Sequence, residues 1–122
     1  MTLRNNIAQT VYLRISLLAT KDATFRTRYG SLAHRLPVLI RTAGLAQAIA
    51  FVSVRGKDEG QQLLRDVAHS LGMTDEQLAT KSRTAPMLEY MRLTQRTLGT
   101  LVWYKRFAQT VLGVDAAQAE HE

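Results

Sequence analysis

PVLIRTAGLAQAIAFVSVR, residues 37–55, is apolar nearly all the way round a helical wheel. Val38, Leu39, Ile40, Leu45, Ile49, Phe51 and Val52 leave it no continuous polar face, and such a helix belongs inside a bundle. Pro37 suits a first helical turn, where a missing N–H costs nothing, and Gly56 suits the end. Gly44, Ala46, Ala48 and Ala50 are small enough to let neighbouring helices approach closely. Residues 37–55 therefore read as the central, buried helix of an all-α protein. Its most apolar run, Leu45 to Val54, is interrupted by Gln47 and Ser53 and is too short to cross a bilayer, so no membrane is expected.

Working back from Pro37, Asp22 can cap a short helix that runs to Tyr29 and stops at Gly30, with Ser31 to Leu36 leading into the proline. The first helix spans about 3–19, its core stripe formed by Ile7, Val11, Ile15 and Leu18. Leu13 and Leu17 lie opposite that stripe and suggest a second packed face or a partner. Working forward, Lys57–Gly60 reads as a surface loop that should tolerate a short insertion. A helix from about Glu59 to Leu71 turns Leu63, Leu64, Val67, Ala68 and Leu71 inward, and Gly72 stops it. Thr74 to Gln77 is a capping-box pattern opening a short helix to about Lys81, with Ser82–Thr84 as a loop. The last helix is long, about Ala85 to Gly113, on a stripe of Met87, Tyr90, Met91, Leu98, Leu101, Tyr104, Ala108 and Leu112. The expectation is one compact bundle of five to six helices over residues 1–113, with an acidic tail, 114–122, that frays.

The 122 residues suffice for one domain with a real core. Cysteine is absent, which excludes a disulfide scaffold, thiolate metal sites and thiol catalysis. Residues 1–10, MTLRNNIAQT, lack the apolar region of a secretory signal, so a cytoplasmic protein is expected. Sixteen basic against ten acidic side chains give a net charge of +6, and twelve of the sixteen are arginine. Arginine's planar fork suits phosphate, so the charge suggests an anionic partner. It is concentrated in residues 1–58, with nine basic and two acidic side chains.

Catalytic patterns are thin. His34, His69 and His121 are far apart and read as surface or partly buried groups. Asp58-Glu59 and Asp75-Glu76 are carboxylates at helix starts, where the helix dipole favours them. The glycines form neither a dinucleotide nor a P-loop pattern, and Ser31 and Ser70 lack a nucleophile elbow. No enzyme, cofactor or metal is expected, and a metal-dependent RNA hydrolase is the least supported class.

KDATFRTRYGSLAHRLPVLIR, residues 21–41, carries Lys21, Arg26, Arg28, Arg35 and Arg41 against one acid, interleaved with Phe25 and Tyr29. Cations that track phosphate beside rings that can stack on bases suit a single-stranded nucleic-acid groove. The two rings, at i and i+4, are better read as pinning the helix to the core. Arg92, Arg96, Trp103 and Arg106 share one outer stripe of the last helix, with Lys105 beside them. Trp103 is read either as a stacking surface or as core beneath snorkelling arginines. The competing class is a small helical scaffold whose basic face meets acidic protein instead of RNA.

The chain also resembles a known family. Tyr29-Gly30-Ser31, Leu36-Pro37, Gly44-Leu45 with Phe51, and the late Trp103, Lys105-Arg106-Phe107 are similar to the small subunit of type III-B (Cmr-type) CRISPR RNA-guided effector complexes. The match spans about residues 1–112, with Ala43 where the pattern commonly has Asn. The resemblance implies a non-catalytic, all-α module that stacks in several copies along the guide RNA and its single-stranded target. It also implies contact with the other subunits, and it places target cleavage in a neighbouring subunit. The nine candidate RNA-binding residues are then Lys21, Arg26, Arg28, Arg35, Arg41, Arg92, Arg96, Lys105 and Arg106.

Overall fold

Asp22 starts the helix that organises the protein. Its side chain accepts from Phe25 N at 2.8 Å, capping α2 (Ala23–Ala43). The computed structural model describes residues 3–117, and within them the chain forms six helices and no strand. Before α2 lies α1 (Leu3–Ser16); after it come α3 (Leu45–Arg55), α4 (Lys57–Ser70), α5 (Asp75–Thr84) and α6 (Met87–Thr110). The fold is all-α, with a long C-terminal helix. His121 and the rest of 118–122 lie outside the described residues.

α2 runs unbroken through Gly30 and Pro37, where the sequence reading stops one helix and starts another. Gly30 is not a stop but a point of close approach: a Cβ there would lie 2.6 Å from Val114 Cβ. Pro37 leaves the Ala33 carbonyl without its intrahelical donor, yet Ala33, Leu36, Pro37 and Ile40 are all buried, and packing outweighs that loss. The real break is Gly44, at φ 92, a backbone conformation that disfavours side chains. No side chain beside Gly44 caps α3; the Tyr90 hydroxyl, from α6, accepts from Leu45 N at 2.9 Å instead. Residues 37–55 are thus the end of one helix and the whole of another. They are not buried all round, since Val38 is 57% and Val54 79% exposed.

The expected loop at Lys57–Gly60 is the first turn of α4, with Glu59 and Gly60 buried. Gly56 joins α3 to α4 so tightly that a Cβ on it would stand 2.5 Å from the Val52 carbonyl oxygen and 2.7 Å from Gly60 Cα. Neither atom can swing aside as a flexible side chain could. The expected tolerance of an insertion is therefore reversed: inserted residues should cost folded, soluble protein. Gly56→Ala should cost about 1–3 kcal/mol, the range for overpacking, read from the denaturant midpoint.

α4 ends as anticipated. Gly72 at φ 81 donates to His69 O and Met73 N donates to Ala68 O, a Schellman closure. The Thr74–Gln77 capping box opens α5, which continues to Thr84 rather than stopping near Lys81. On α6 the buried set is Leu93, Thr97, Thr100, Leu101, Tyr104 and Ala108, while Met87 and Met91 are exposed. Thr97 is accepted inside because its hydroxyl donates to Leu93 O at 2.8 Å.

α2 packs on α6, α3 and α4; α1 lies across α6 and α4; α5 closes one side. Val114, assigned to the tail in the sequence reading, is 1% exposed and seats against Gly30. His34, expected at or near the surface, is buried, and its Nε2–H donates to Val114 O at 2.9 Å.

A buried polar network ties the helices together. Asp66 of α4 accepts from Arg14 Nε at 3.0 Å and Nη2 at 2.7 Å, from Gln62 Nε2 at 2.9 Å and from Tyr29 Oη at 2.6 Å. Tyr104 Oη and Ser70 Oγ share a 2.8 Å hydrogen bond beside it. Burial is the main cause that pushes both phenols above their ordinary range, and the Asp66 carboxylate adds to the shift.

Candidate nucleic-acid interface

The five basic residues of 21–41 do not form one face. Arg28 and Arg35, seven positions apart, lie within about 20° of each other on the exposed side of α2. Arg41 is exposed but lies about 120° round the helix from Arg35. Arg26 is half-buried and folds back to donate from Nη1 to Lys21 O. Lys21 is exposed, its Nζ 5.4 Å from the Phe25 ring centroid. Phe25 stacks on Tyr29 at 6.2 Å, and Tyr29 is fully buried, so this aromatic pair belongs to packing.

The structure adds what the sequence reading missed. Arg28 and Arg35 of α2 face Arg55 and Lys57 at the α3–α4 junction across a cavity of about 210 Å³. Glu59 shares its wall and lies 3.8 Å from Arg28. Arg55 and Lys57 flank the helix-joining Gly56, and only the tight junction turns them toward α2. A second depression gathers Arg92 and Arg96 of α6 with Lys81 of α5 and one carboxylate, Glu89. Arg96 Nη2 donates to Leu71 O at 3.2 Å, which steadies it. Lys81 escaped notice because it reads as an ordinary helix-end cation. Arg14, by contrast, spends its charge on Asp66.

Arg106 and Lys105 lie further along α6. Trp103 is neither fully core nor a bare platform. It is half-buried, stacks on Phe107 at 6.0 Å and carries the Arg106 guanidinium 4.8 Å from its ring centroid. Tyr12 of α1 meets Phe107 edge-on at 5.4 Å, which completes an aromatic row between α1 and α6. Trp103→Ala should therefore cost about 2 kcal/mol in chemical denaturation, less than the ~3–5 kcal/mol of a fully buried ring.

Among the described residues, no group of three or more His, Asp or Glu side chains is placed to hold a metal ion. None of the described helices is long and apolar enough to cross a membrane. What the surface offers is exposed cations in two hollows and along α6.

The model of a CRISPR-associated protein family, Cas_Cmr5, matches residues 3–111. The chain belongs to the Cmr5 family. A curated relative, the CRISPR system Cmr subunit Cmr5 of Thermus thermophilus, is 42% identical over 106 residues, 86% of this chain and 91% of the relative. The crystal structure of a CRISPR-associated Cmr5 family protein from Thermus thermophilus superposes with a TM-score of 0.84 at 40% identity. That match covers 91% of this chain and 97% of the other. The Cmr5 assignment agrees with the resemblance carried by Tyr29-Gly30-Ser31 and Trp103 to Phe107. In the structure Gly30 makes room for Val114, and Trp103 and Phe107 stack, so these parts of the pattern have packing roles.

Proposed function

We propose that this Cmr5-family chain is a non-catalytic subunit of a cytoplasmic type III-B CRISPR effector complex, and that it lies along the guide and target RNA on its basic face. Family membership supports the complex. The observation that carries the RNA reading is the convergence of Arg28, Arg35, Arg55 and Lys57 on one hollow with a single carboxylate. Side chains of this kind bind phosphate without reading sequence. Stacking on neighbouring copies has support in exposed apolar side chains, notably Leu13 on α1, Leu17 just past its end, and Met87, Leu88 and Met91 on α6. Copies in a row would raise RNA affinity through effective concentration.

The test is fluorescence anisotropy of the isolated protein with single-stranded RNAs of unrelated sequence over a salt series. Binding is expected to be weak, indifferent to sequence and steeply salt-dependent, with a log–log slope of about −0.7 for each phosphate contacted. A flat salt response would move the reading to a scaffold for protein partners. Tight, sequence-selective binding would contradict it from the other side. Crosslinking and peptide mapping inside a purified complex then locate the face.

A further inference from the structure

We propose that the hollow between α2 and the start of α4 is a built site for one phosphate group, an inference that rests on the RNA reading only for the source of that phosphate. Four cations line it, Arg28, Arg35, Arg55 and Lys57. Arg28 is partly answered by Glu59 at 3.8 Å, while the other three form no ion pair with a described carboxylate. An unpaired surface cation is ordinary, but three lining one open hollow raise the potential there and favour a counter-anion.

The backbone adds donors of the same sign. α4 begins at this hollow, and its N-cap, Gly56, supplies no side-chain acceptor. Gly60 N is bonded back to Gly56 O, but the earlier first-turn amides have no intrahelical carbonyl to reach. The positive end of a 14-residue helix is thus presented to the space, the arrangement that receives oxyanions in many proteins.

Ser31 gives an independent sign of a missing ligand. It lines the same hollow, is 2% exposed, and its Oγ has no hydrogen-bond partner. A buried hydroxyl left unpaired costs free energy, and a rotation of this side chain toward the hollow would let a phosphate oxygen satisfy it. The volume, about 210 Å³, leaves room for a tetrahedral oxyanion with some of its water. Guanidinium forks, an ammonium, helix amides and a hydroxyl together match a phosphate better than a carboxylate peptide, because they approach from several directions around one centre.

The experiment follows the amide resonances of Lys57, Asp58 and Glu59 by NMR while inorganic phosphate is added at constant ionic strength, with chloride as control. Saturable shifts confined to α4's start and Ser31 are expected with phosphate alone. Arg35→Gln/Arg55→Gln, both at exposed positions, should weaken that binding about tenfold or more, while the rest of the spectrum shows the fold intact. Arg83→Gln, exposed on α5 and outside the hollow, should leave it unchanged. In RNA binding the double variant should reduce the magnitude of the salt slope by about 0.7, one phosphate contact. Phosphate shifts with an unaltered RNA slope would keep the site and assign it to free phosphate. Phosphate shifts with no RNA binding at all would sink the RNA function and leave the site standing. No saturable shift in the native protein, or equal shifts in the double variant, would overturn the site itself.

Discussion

Asp66→Ala is expected to remove about 3–5 kcal/mol of stability, enough to leave much of the protein unfolded if its total is near the lower end of the usual 5–15 kcal/mol. Asp66 is 1% exposed and accepts four hydrogen bonds from side chains on α1, α2 and α4. Removing it strands the fully buried Tyr29 hydroxyl and leaves the Arg14 guanidinium, 28% exposed, to find water through a partly closed surface. Asp66→Asn keeps the shape but sets an amide against the guanidinium, so it should fall between Ala and native. Urea midpoints with unchanged slopes test both variants. If Asp66→Ala melts with the native protein, the network is decoration and the helices are held by apolar packing alone.

Alkaline pH should open the same region. Tyr29 and Tyr104 are both fully buried, and burial first, then the neighbouring carboxylate, raises their phenols. An unfolded tyrosine ionises near pH 10, while the folded pair keeps its protons beyond that. The folded state therefore binds more protons above pH 10, and stability present below that pH is lost as it rises. Each phenol contributes a slope of about 1.4 kcal/mol per pH unit, so the two together give about 2.7 kcal/mol per unit. Circular dichroism and tyrosinate absorbance should change together, the pair ionising as the helices melt. Tyr104→Phe should roughly halve the tyrosine share of the slope. A protein that ionised both phenols while still folded would refute this.

Where a signal was local, the residues carried it. Thr74 and Gln77 announced their capping box, Asp22 its cap, Gly72 its stop, and the α1 and α4 stripes their inward faces. Errors came where two meanings share one residue. Gly30 could stop a helix or admit a neighbour, and Val114 decides which, from the far end of the described chain. Pro37 could start a helix or be carried by one. On α6 the reading followed apolar character to Met87 and Met91, but the geometry favoured Thr97 and Thr100, polar residues able to satisfy or shelter their hydroxyls. The cations show the same limit. Arg28 and Arg35 stood out only among the five cations of residues 21–41, whereas Arg55 and Lys57 join them only because Gly56 folds α4 back beside α2. Arg-Gly-Lys at a helix junction was the one available hint.

The seat of Val114 has a consequence in time. His34 and Val114 stand eighty positions apart, and their hydrogen bond closes beside the Gly30 contact. A ribosome delivers residue 34 long before residue 114. Until then α2 has a groove with no occupant, and until residue 90 arrives α3 lacks the Tyr90 hydroxyl over its first amide. Helices can form early on such a chain, but the bundle cannot lock in the order in which it is made. A free chain truncated before residue 114 should remain loose and open to protease, and one that runs past Val114 should close.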